Sequence, residues 1–275
     1  MSSTAMTTLR TEEFTPPSPG DFNLPPIGGS TETFNFLGQD MPLGVTKPML
    51  QVAIVAVVAF GFLFLAARKR AMVPGRLQFS GESAYGFVRN SMGRDIIGSH
   101  DFMRFVPYLV TVFFFILFNN LMASVPFFQF PTMGRAGMVY GLAGLSWVIY
   151  NAVGIKKHGF AGYMHLQCVP AGIKGPILLL LVPLEFMSNL VVRPITLALR
   201  LFANMFAGHL LLILFALGGE YLLVHGSALV KPVGILAWLL FIAVAFLELL
   251  VQFLQAYVFT LLNAMYISGA LADEH

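Results

Sequence analysis

A permanent cation lies inside one of the longest apolar stretches of the chain. Arg200 stands within the run PITLALRLFANMFAGHLLL (residues 194–212), and Asn204 and His209 follow it. In a helix, which turns by about 100° per residue, Arg200 and Asn204 share a face. His209 lies half a turn round from that face, about 13 Å further along the axis. An arginine at mid-bilayer costs about 2.5–3.5 kcal/mol on insertion scales, so we expect Arg200 to face protein or water.

A second set of polar side chains follows a helical repeat in the last apolar stretch. Glu248, Gln252 and Gln255 stand at positions i, i+4 and i+7, which place them in one stripe of an otherwise apolar helix. Tyr266 returns to the angle of Glu248 eighteen residues later. A ladder of one carboxylate and two amides is typical of the lining of a hydrated half-channel, because ionisable groups inside membranes mark proton or ion routes.

Each of these candidate residues also has a structural interpretation. Arg200 could form an internal salt bridge with Glu185 or Glu248, and His209 could be a neutral packing residue. Glu185 could instead lie at the cytoplasmic interface. Glu220 is interpreted as a solvated loop residue. The remaining cation, Arg193, is interpreted as structural, because it stands beside Pro194 and could satisfy backbone carbonyls that this proline leaves free.

Composition identifies the class of protein that must position these residues. The chain has 275 residues, of which 57% are hydrophobic and 11% are charged. Soluble domains carry about 25% charged residues, so the sequence predicts an all-α, polytopic membrane protein. The net charge of +3 is too small to indicate nucleic acid as a partner. The single cysteine, Cys168, excludes an intrachain disulfide framework, and we expect no metal, cofactor or nucleotide site.

The apolar runs predict five membrane spans and one amphipathic interfacial helix. Residues 1–47 are rich in Pro, Gly, Ser and Thr, so we expect an extended polar tail before a membrane domain at residues 48–275. The interfacial helix is predicted at about residues 76–104 from an apolar stripe, with a loop holding one helical turn as the alternative. The predicted spans are residues 49–67, 105–125, 137–155, 177–217 and 233–272.

The last two apolar stretches are too long for ordinary spans, since about 20 residues suffice to cross a bilayer. Pro183 and Pro194 predict a bend or break in the first of them. The second has no Gly or Pro over 34 residues, which corresponds to a helix about 51 Å long. We expect a long, strongly tilted hairpin that is joined by a turn at Gly218-Gly219. Splitting each stretch in two would instead give seven spans.

The distribution of Lys and Arg predicts the orientation. With five spans, ten of these residues fall on one side of the membrane and four on the other. By the positive-inside rule, the N-terminus and the polar tail are outside and the C-terminus is cytoplasmic. The Asn119-Asn120 pair near the end of the second span is expected to bond a neighbouring helix.

Three motifs resemble subunit a of F-type ATP synthases. The run LRLFANM (residues 199–205) is followed by AGH (residues 207–209), which is similar to the most distinctive motif of that family. The C-terminal run FLELLVQFLQAYVFTLLNAMYISGALADEH resembles the family's last helix, and NNLMASVP resembles its second span ending. The resemblance covers roughly residues 45–275 and implies a bacterial plasma-membrane protein.

This resemblance implies a non-catalytic proton-channel subunit, the stator beside a rotating ring of c subunits. It assigns the essential cation to Arg200 and the lining of an outer half-channel to Asn204, His209, Glu248 and Gln255. Family members often carry the carboxylate and the histidine of this titratable pair in exchanged positions. The polar stripe adds Gln252 to this half-channel.

The resemblance also assigns an inner half-channel to Glu185 and Ser188, although one extra residue separates them from Arg200 relative to the commonest family spacing. Glu220 and Tyr266 are candidates for admitting protons. The implied partners are the c-ring, a peripheral-stalk subunit of the b type, membrane lipid and, indirectly, the catalytic ATPase sector. The competing hypotheses are a proton-coupled secondary transporter and a purely structural membrane anchor.

Overall fold

The computed structural model describes residues 16–18, 33–36, 39–42, 46–68, 73–125, 131–169 and 177–272. Two compact units divide the chain. The larger contains Leu24–Ala207 and Glu248–His275, and the smaller contains Gly208–Leu247. In chain order the elements are β1 (Thr33–Phe36), β2 (Gln39–Pro42), α1 (Lys47–Arg68), α2 (Arg76–Phe87) with a π-helical continuation (Val88–Ile97), α3 (Phe102–Ala123), a 3₁₀ turn (Thr132–Gly134), α4 (Ala136–Cys168), α5 (Leu178–Phe186), a π-helical segment (Met187–Val192), α6 (Arg193–His225) and α7 (Lys231–Leu271).

The five predicted spans are confirmed as helices. Within the described ranges, five helices are long and apolar enough to cross a membrane, and the stretch from Leu178 to His225 counts as one of them. The helix α7 runs through 41 residues without interruption, so the seven-span alternative is wrong. At 1.5 Å per residue this helix is about 62 Å long, roughly twice the thickness of a bilayer core.

The predicted interfacial helix forms, but it is shorter than expected. It covers Arg76–Ile97 and stops at Gly98, whose φ of 94° interrupts the helix before α3 begins. The predicted apolar stripe is buried in part: Val88 and Met92 are fully buried, whereas Phe87 is exposed. The two arginines of the segment, Arg89 and Arg94, are exposed. The predicted end at about residue 104 is therefore wrong, because the helix ends at Ile97 and α3 already begins at Phe102.

The polar tail contains one element that its composition did not predict. Strands β1 and β2 pair antiparallel, with Thr33 opposite Pro42 and Phe36 opposite Gln39. The prediction of an extended tail is therefore wrong for this hairpin. Most of the rest of the tail lies outside the described residues.

The helix α4 reverses direction near its end. Gly159 has a φ of 72° and a ψ of 165°, which are not helical values, and the chain then forms a second helical piece that ends at Cys168. We call residues 160–168 the fold-back segment. It packs on the preceding helix at Gly154, where a Cβ atom would lie 2.1 Å from the ring of Tyr163. The predicted third span, residues 137–155, is thus the part of α4 before this reversal.

The core of the larger unit surrounds α3. Several of its side chains, Leu109, Phe113 and Ile116 among them, are buried in one cluster with residues from α6 and α7. This cluster buries one face of the first half of α6 and leaves the opposite face outside the core. The members from α6 and α7 are Leu197, Ala198, Leu201, Met205, Ala256, Phe259 and Ala264.

The smaller unit is a close helical hairpin of α6 and α7. A Cβ atom at Gly219 would lie 2.8 Å from Trp238 Cδ1, and one at Gly234 would lie 2.8 Å from Leu223 Cγ. Small residues let helix backbones approach in this way. The hairpin is confirmed, but the predicted turn at Gly218-Gly219 is wrong, because α6 continues through these glycines to His225. Glu220 is accordingly an exposed helical residue and not a loop residue.

Candidate functional site

Arg200 and Asn204 lie together on the exposed face of α6, as the helical repeat predicts. The opposite face, which includes Leu201 and Met205, is buried in the core of the larger unit. The small side chain of Ala203 is exposed beside the two polar residues. A small residue beside the cation leaves room for another helix to approach this face.

The internal salt-bridge interpretation of Arg200 finds no support. Among the described residues, no ion pair within 4.0 Å joins Arg200 to Glu185 or Glu248. The guanidinium therefore presents its charge on the outer face of the helix.

The polar stripe of α7 is buried. Glu248, Gln252 and Gln255 are 5%, 0% and 6% exposed, respectively. Gln252 is held by the end of α3, since its Nε2 lies 2.8 Å from Ser124 Oγ and its backbone carbonyl accepts a 3.1 Å hydrogen bond from Asn120 Nδ2. The prediction that Asn120 bonds a neighbouring helix is confirmed.

The 3₁₀ turn Thr132–Gly134 makes a polar contact with the end of α3. Thr132 Oγ1 donates to Asn119 Oδ1 at 3.0 Å, and Asn119 Nδ2 donates to the Phe115 carbonyl at 2.7 Å. Partial burial lowers the pKa of the Arg135 guanidinium from its ordinary value, because desolvation penalises the charged form. The 3₁₀ turn Thr132–Gly134 is thus fixed by a polar contact to the end of α3.

His209 and Glu248 are both buried, at 8% and 5% exposure. His209 belongs to the smaller unit and Glu248 to the larger. Their role as a titratable pair stays a prediction.

Glu185 joins a polar cluster between α5 and α4. Its Oε2 accepts a 3.1 Å hydrogen bond from Asn189 Nδ2, and the same amide nitrogen donates to the Gln167 carbonyl at 2.7 Å. Ser188, which the resemblance pairs with Glu185, is exposed on the π-helical segment. The carboxylate thus lies next to an amide donor that is itself fixed by α4.

The π-helical segment explains how the chain accommodates its unusual spacing. A π turn bonds residue i to i+5 and so contains one more residue than an α turn. The segment Met187–Val192 lies between Glu185 and Arg200, where the extra residue occurs. Pro194 follows this segment and has no N–H to donate to the Leu190 carbonyl, four residues earlier. Trp147 Nε1 donates a 2.9 Å hydrogen bond to that carbonyl instead.

Arg193 and Tyr266 contact each other. The Arg193 guanidinium lies 5.5 Å from the centroid of the Tyr266 ring. The centroid of the Tyr150 ring also lies 5.5 Å from the Tyr266 centroid. This cation–π contact supports the structural interpretation of Arg193.

Several polar residues of these clusters were not predicted from the sequence. Their partners lie on other helices or in distant parts of the chain, so no local periodic pattern singles out these contacts, and the available signal is a polar side chain within or next to an apolar span. Tyr108 Oη, for example, lies 3.0 Å from Ser146 Oγ and 3.1 Å from Asn263 Oδ1. The residues missed in this way are Tyr108, Ser124, Ser146, Asn151, Tyr163, Gln167, Asn189 and Asn263.

Comparisons with known proteins give consistent results. A sequence model described as "ATP synthase A chain" matches residues 49–268. The protein named ATP synthase subunit a of Nocardioides sp. is 72% identical over 274 residues, which cover 98% of this chain and 99% of the relative. Its namesake in Pseudarthrobacter chlorophenolicus is 47% identical, covering 96% of both chains. The Streptomyces lividans protein of the same name is 37% identical, and the match covers 94% of this chain and 89% of the relative.

These matches span nearly the whole length of the chain and include the Arg200 motif, and they confirm the resemblance drawn from the sequence. The chain belongs to the ATP synthase A chain family.

Proposed function

We propose that the chain is the proton-translocating stator subunit of a rotary F-type ATP synthase in a bacterial plasma membrane. Two offset half-channels deliver protons to and from carboxylates on a rotating c-ring, and Arg200 is the fixed cation that separates them. The observation that carries this proposal is the exposure of Arg200 and Asn204 on one face of α6, while the other face is buried in the core. A cation exposed on an apolar helix of membrane-spanning length needs an anionic partner, and a ring carboxylate supplies one.

The charge of Arg200 has a direct physical effect on such a carboxylate. A nearby fixed cation lowers a carboxyl pKa, whereas desolvation in lipid raises it. The ring carboxylate is therefore ionised beside Arg200 and neutral where it faces lipid. Arginine suits this role because it keeps its charge when buried, whereas a buried lysine can lose its proton. The same cation repels protons and so blocks a direct leak between the half-channels.

The outer half-channel is assigned to Asn204, His209, Glu248, Gln252 and Gln255. The burial of Glu248 and both glutamines supports this assignment, because buried ionisable groups in membrane helices are retained where they serve a proton or ion route. Glu220 and Tyr266 remain candidates for admitting protons.

The inner half-channel is assigned to Glu185 and Ser188. The π-helical segment supports this, since it accommodates the extra residue that separates the pair from Arg200. A proton crossing 100 mV releases about 2.3 kcal/mol, so several must pass for each ATP made. The offset between the two half-channels turns each passage into a step of ring rotation.

The proposed orientation places the N-terminus outside and the C-terminus in the cytoplasm. The Lys157 ammonium donates a hydrogen bond to the carbonyl of Leu271 at the end of α7. This contact supports an arrangement in which the lysines after the third span and the C-terminal end of α7 are on the same side. The proposed partners are the c-ring, a b-type peripheral-stalk subunit, membrane lipid and the catalytic sector through them.

ATP-driven acidification of inverted membrane vesicles tests the proposal. We expect Arg200→Ala to abolish acidification while the assembled complex still hydrolyses ATP. Arg76→Ala, which removes an exposed arginine from α2, is the matched control and is expected to pump normally. Acidification that survives Arg200→Ala would instead favour the structural-anchor hypothesis.

Purification of the complex in mild detergent separates the remaining alternative. A proton-coupled secondary transporter would be isolated alone, whereas the proposed stator subunit is expected to carry a small ring-forming protein and the catalytic ATPase subunits with it. The unbroken helix α7 also disfavours a transporter. Such proteins are usually built from two repeated halves, each of which contains an interrupted helix.

A further inference from the structure

A buried chain of hydrogen bonds connects Glu185 to the fold-back segment of α4, and no role has yet been given to it. Its four amide and hydroxyl members are nearly inaccessible to solvent: Tyr163 is 0% exposed, and Gln167, Asn151 and Asn189 are 5%, 8% and 8% exposed. A fully bonded polar network inside an apolar protein fixes its members in one arrangement. Such a network beside a titratable carboxylate can therefore set the position of that carboxylate.

Asn189 is the member that touches Glu185. Its Nδ2 lies 3.1 Å from Glu185 Oε2 and 2.7 Å from the carbonyl oxygen of Gln167. A primary amide has two N–H bonds, so one can donate to the carboxylate while the other donates to the carbonyl. The carbonyl belongs to the fold-back segment, and it therefore determines the direction in which Asn189 presents its second N–H.

One hydrogen bond and one packing contact hold the fold-back segment on the rest of α4, and a further hydrogen bond fixes each partner of that bond. Gln167 Nε2 donates to Tyr163 Oη at 3.1 Å, Tyr163 Oη donates to Asn151 Oδ1 at 3.0 Å, and Asn151 Nδ2 donates to the Trp147 carbonyl at 2.7 Å. The Tyr163 ring also occupies the space next to Gly154 where a Cβ atom would lie, as described above. The segment is thus a fixed wall and not a mobile connection.

We propose that Asn189 is a positioning residue for Glu185, and that the fold-back segment, residues 160–168, forms a rigid wall of the inner half-channel. The proposal rests on the proposed function, which assigns Glu185 to that half-channel. The Asn189 amide holds the carboxylate in one orientation, so that a proton reaches and leaves it along one route. The hydrogen-bonded chain through Gln167, Tyr163 and Asn151 transmits the rigidity of α4 to this amide.

A double-mutant cycle on proton conduction tests the proposal. The assay is passive proton conductance of vesicles from which the catalytic sector has been removed, with conductance scaled to the amount of this chain in the membrane. We expect Asn189→Leu, which keeps the side-chain size and removes both N–H donors, to reduce conductance by about tenfold, as for loss of a hydrogen bond to a charged group. Asn90→Leu, which alters an exposed asparagine of the α2 continuation, is the matched control and is expected to conduct normally.

The cycle is completed by Glu185→Gln and by the double variant. If Asn189 acts through Glu185, the double variant conducts as well as Glu185→Gln alone, because the two losses are not independent. Reductions that multiply in the double variant, or normal conductance in Asn189→Leu, would overturn the positioning role. Normal conductance in Glu185→Gln would overturn both this role and the assignment of Glu185 to the inner half-channel, whereas the Arg200→Ala experiment tests the proposed function separately.

A second variant keeps the test valid if Asn189→Leu does not assemble. Asn189→Ala removes the N–H donors without adding bulk or charge, so the same non-multiplying pattern with Glu185→Gln is expected. Conductance equal to that of the unaltered chain in this variant would contradict the proposal.

Discussion

The contact between Gly154 and Tyr163 gives a prediction whose size can be worked from the structure. In Gly154→Ala the new Cβ would lie 2.1 Å from Tyr163 Cε2 and 2.4 Å from Cδ2, whereas ordinary contacts begin at 3.4 Å. The ring must therefore move by more than 1 Å. Because Tyr163 is fully buried, this movement also displaces its hydroxyl from Asn151 and Gln167.

The expected loss of stability follows from three contributions. Overpacking of a filled core costs about 1–3 kcal/mol. Each of the two displaced hydrogen bonds contributes about 0.5–1.5 kcal/mol. Replacing a helical glycine by alanine returns about 0.5–1 kcal/mol. The net destabilisation of Gly154→Ala is therefore about 1–5 kcal/mol.

The assay is the temperature at which half of this chain is released from the detergent-solubilised complex. We expect Gly154→Ala to lower that temperature by several degrees. Gly144→Ala is the matched control on the same helix, because a Cβ atom there would meet nothing within 4 Å. We expect this control to leave the temperature unchanged or to raise it slightly. Equal release temperatures for the two variants would refute the packing of Tyr163 on Gly154.

Three further substitutions have distinct expected outcomes. Glu248→Leu should slow ATP-driven pumping in vesicles without preventing assembly, and an unchanged rate would remove Glu248 from the proton path. Trp147→Phe should destabilise the complex by about 1–3 kcal/mol, because it leaves the Leu190 carbonyl without its indole donor, and unchanged stability would contradict this. Gly98→Ala should cost about 1–3 kcal/mol through its backbone conformation alone (φ 94°, ψ 160°), since a Cβ there meets nothing within 4 Å, and a thermal shift of zero would be inconsistent with that conformation.

The helices could be predicted because the bilayer restricts what an apolar stretch can form. A spanning segment must satisfy its backbone hydrogen bonds internally, so apolar runs such as residues 49–67 are helices almost by necessity. The shared exposed face of Arg200 and Asn204, and the buried stripe at Glu248, followed from the 3.6-residue repeat. These predictions needed only local sequence and a helical period.

The contacts that could not be predicted join residues far apart in the chain. Tyr108 lies beside Asn263, 155 residues away, and nothing in either local sequence indicates the other. Gly219 was predicted to form a turn because glycine pairs often do, but its lack of a side chain serves close packing against Trp238 instead. Glycine in an apolar helix is compatible with either use, and only the packing of the neighbouring helix distinguishes them.

The reversal at Gly159 was also hidden in the sequence. The lysines before it indicated the end of a span, but they gave no sign that the chain turns back and packs on Gly154. A similar ambiguity applied to the extra residue between Glu185 and Arg200, which a π turn accommodates. In both places the decisive information is a backbone conformation that is set by tertiary packing.

The most direct test of the separating role of Arg200 is the passive proton leak of inverted vesicles that retain the catalytic sector, measured without ATP so that the ring does not turn. Under these conditions we expect vesicles with the unaltered chain to hold an imposed pH gradient. Vesicles with Arg200→Ala should lose it rapidly, because no fixed cation then blocks direct passage between the half-channels. A gradient that decays equally slowly in both, together with preserved ATP-driven acidification, would contradict the proposal that this one cation separates the two routes.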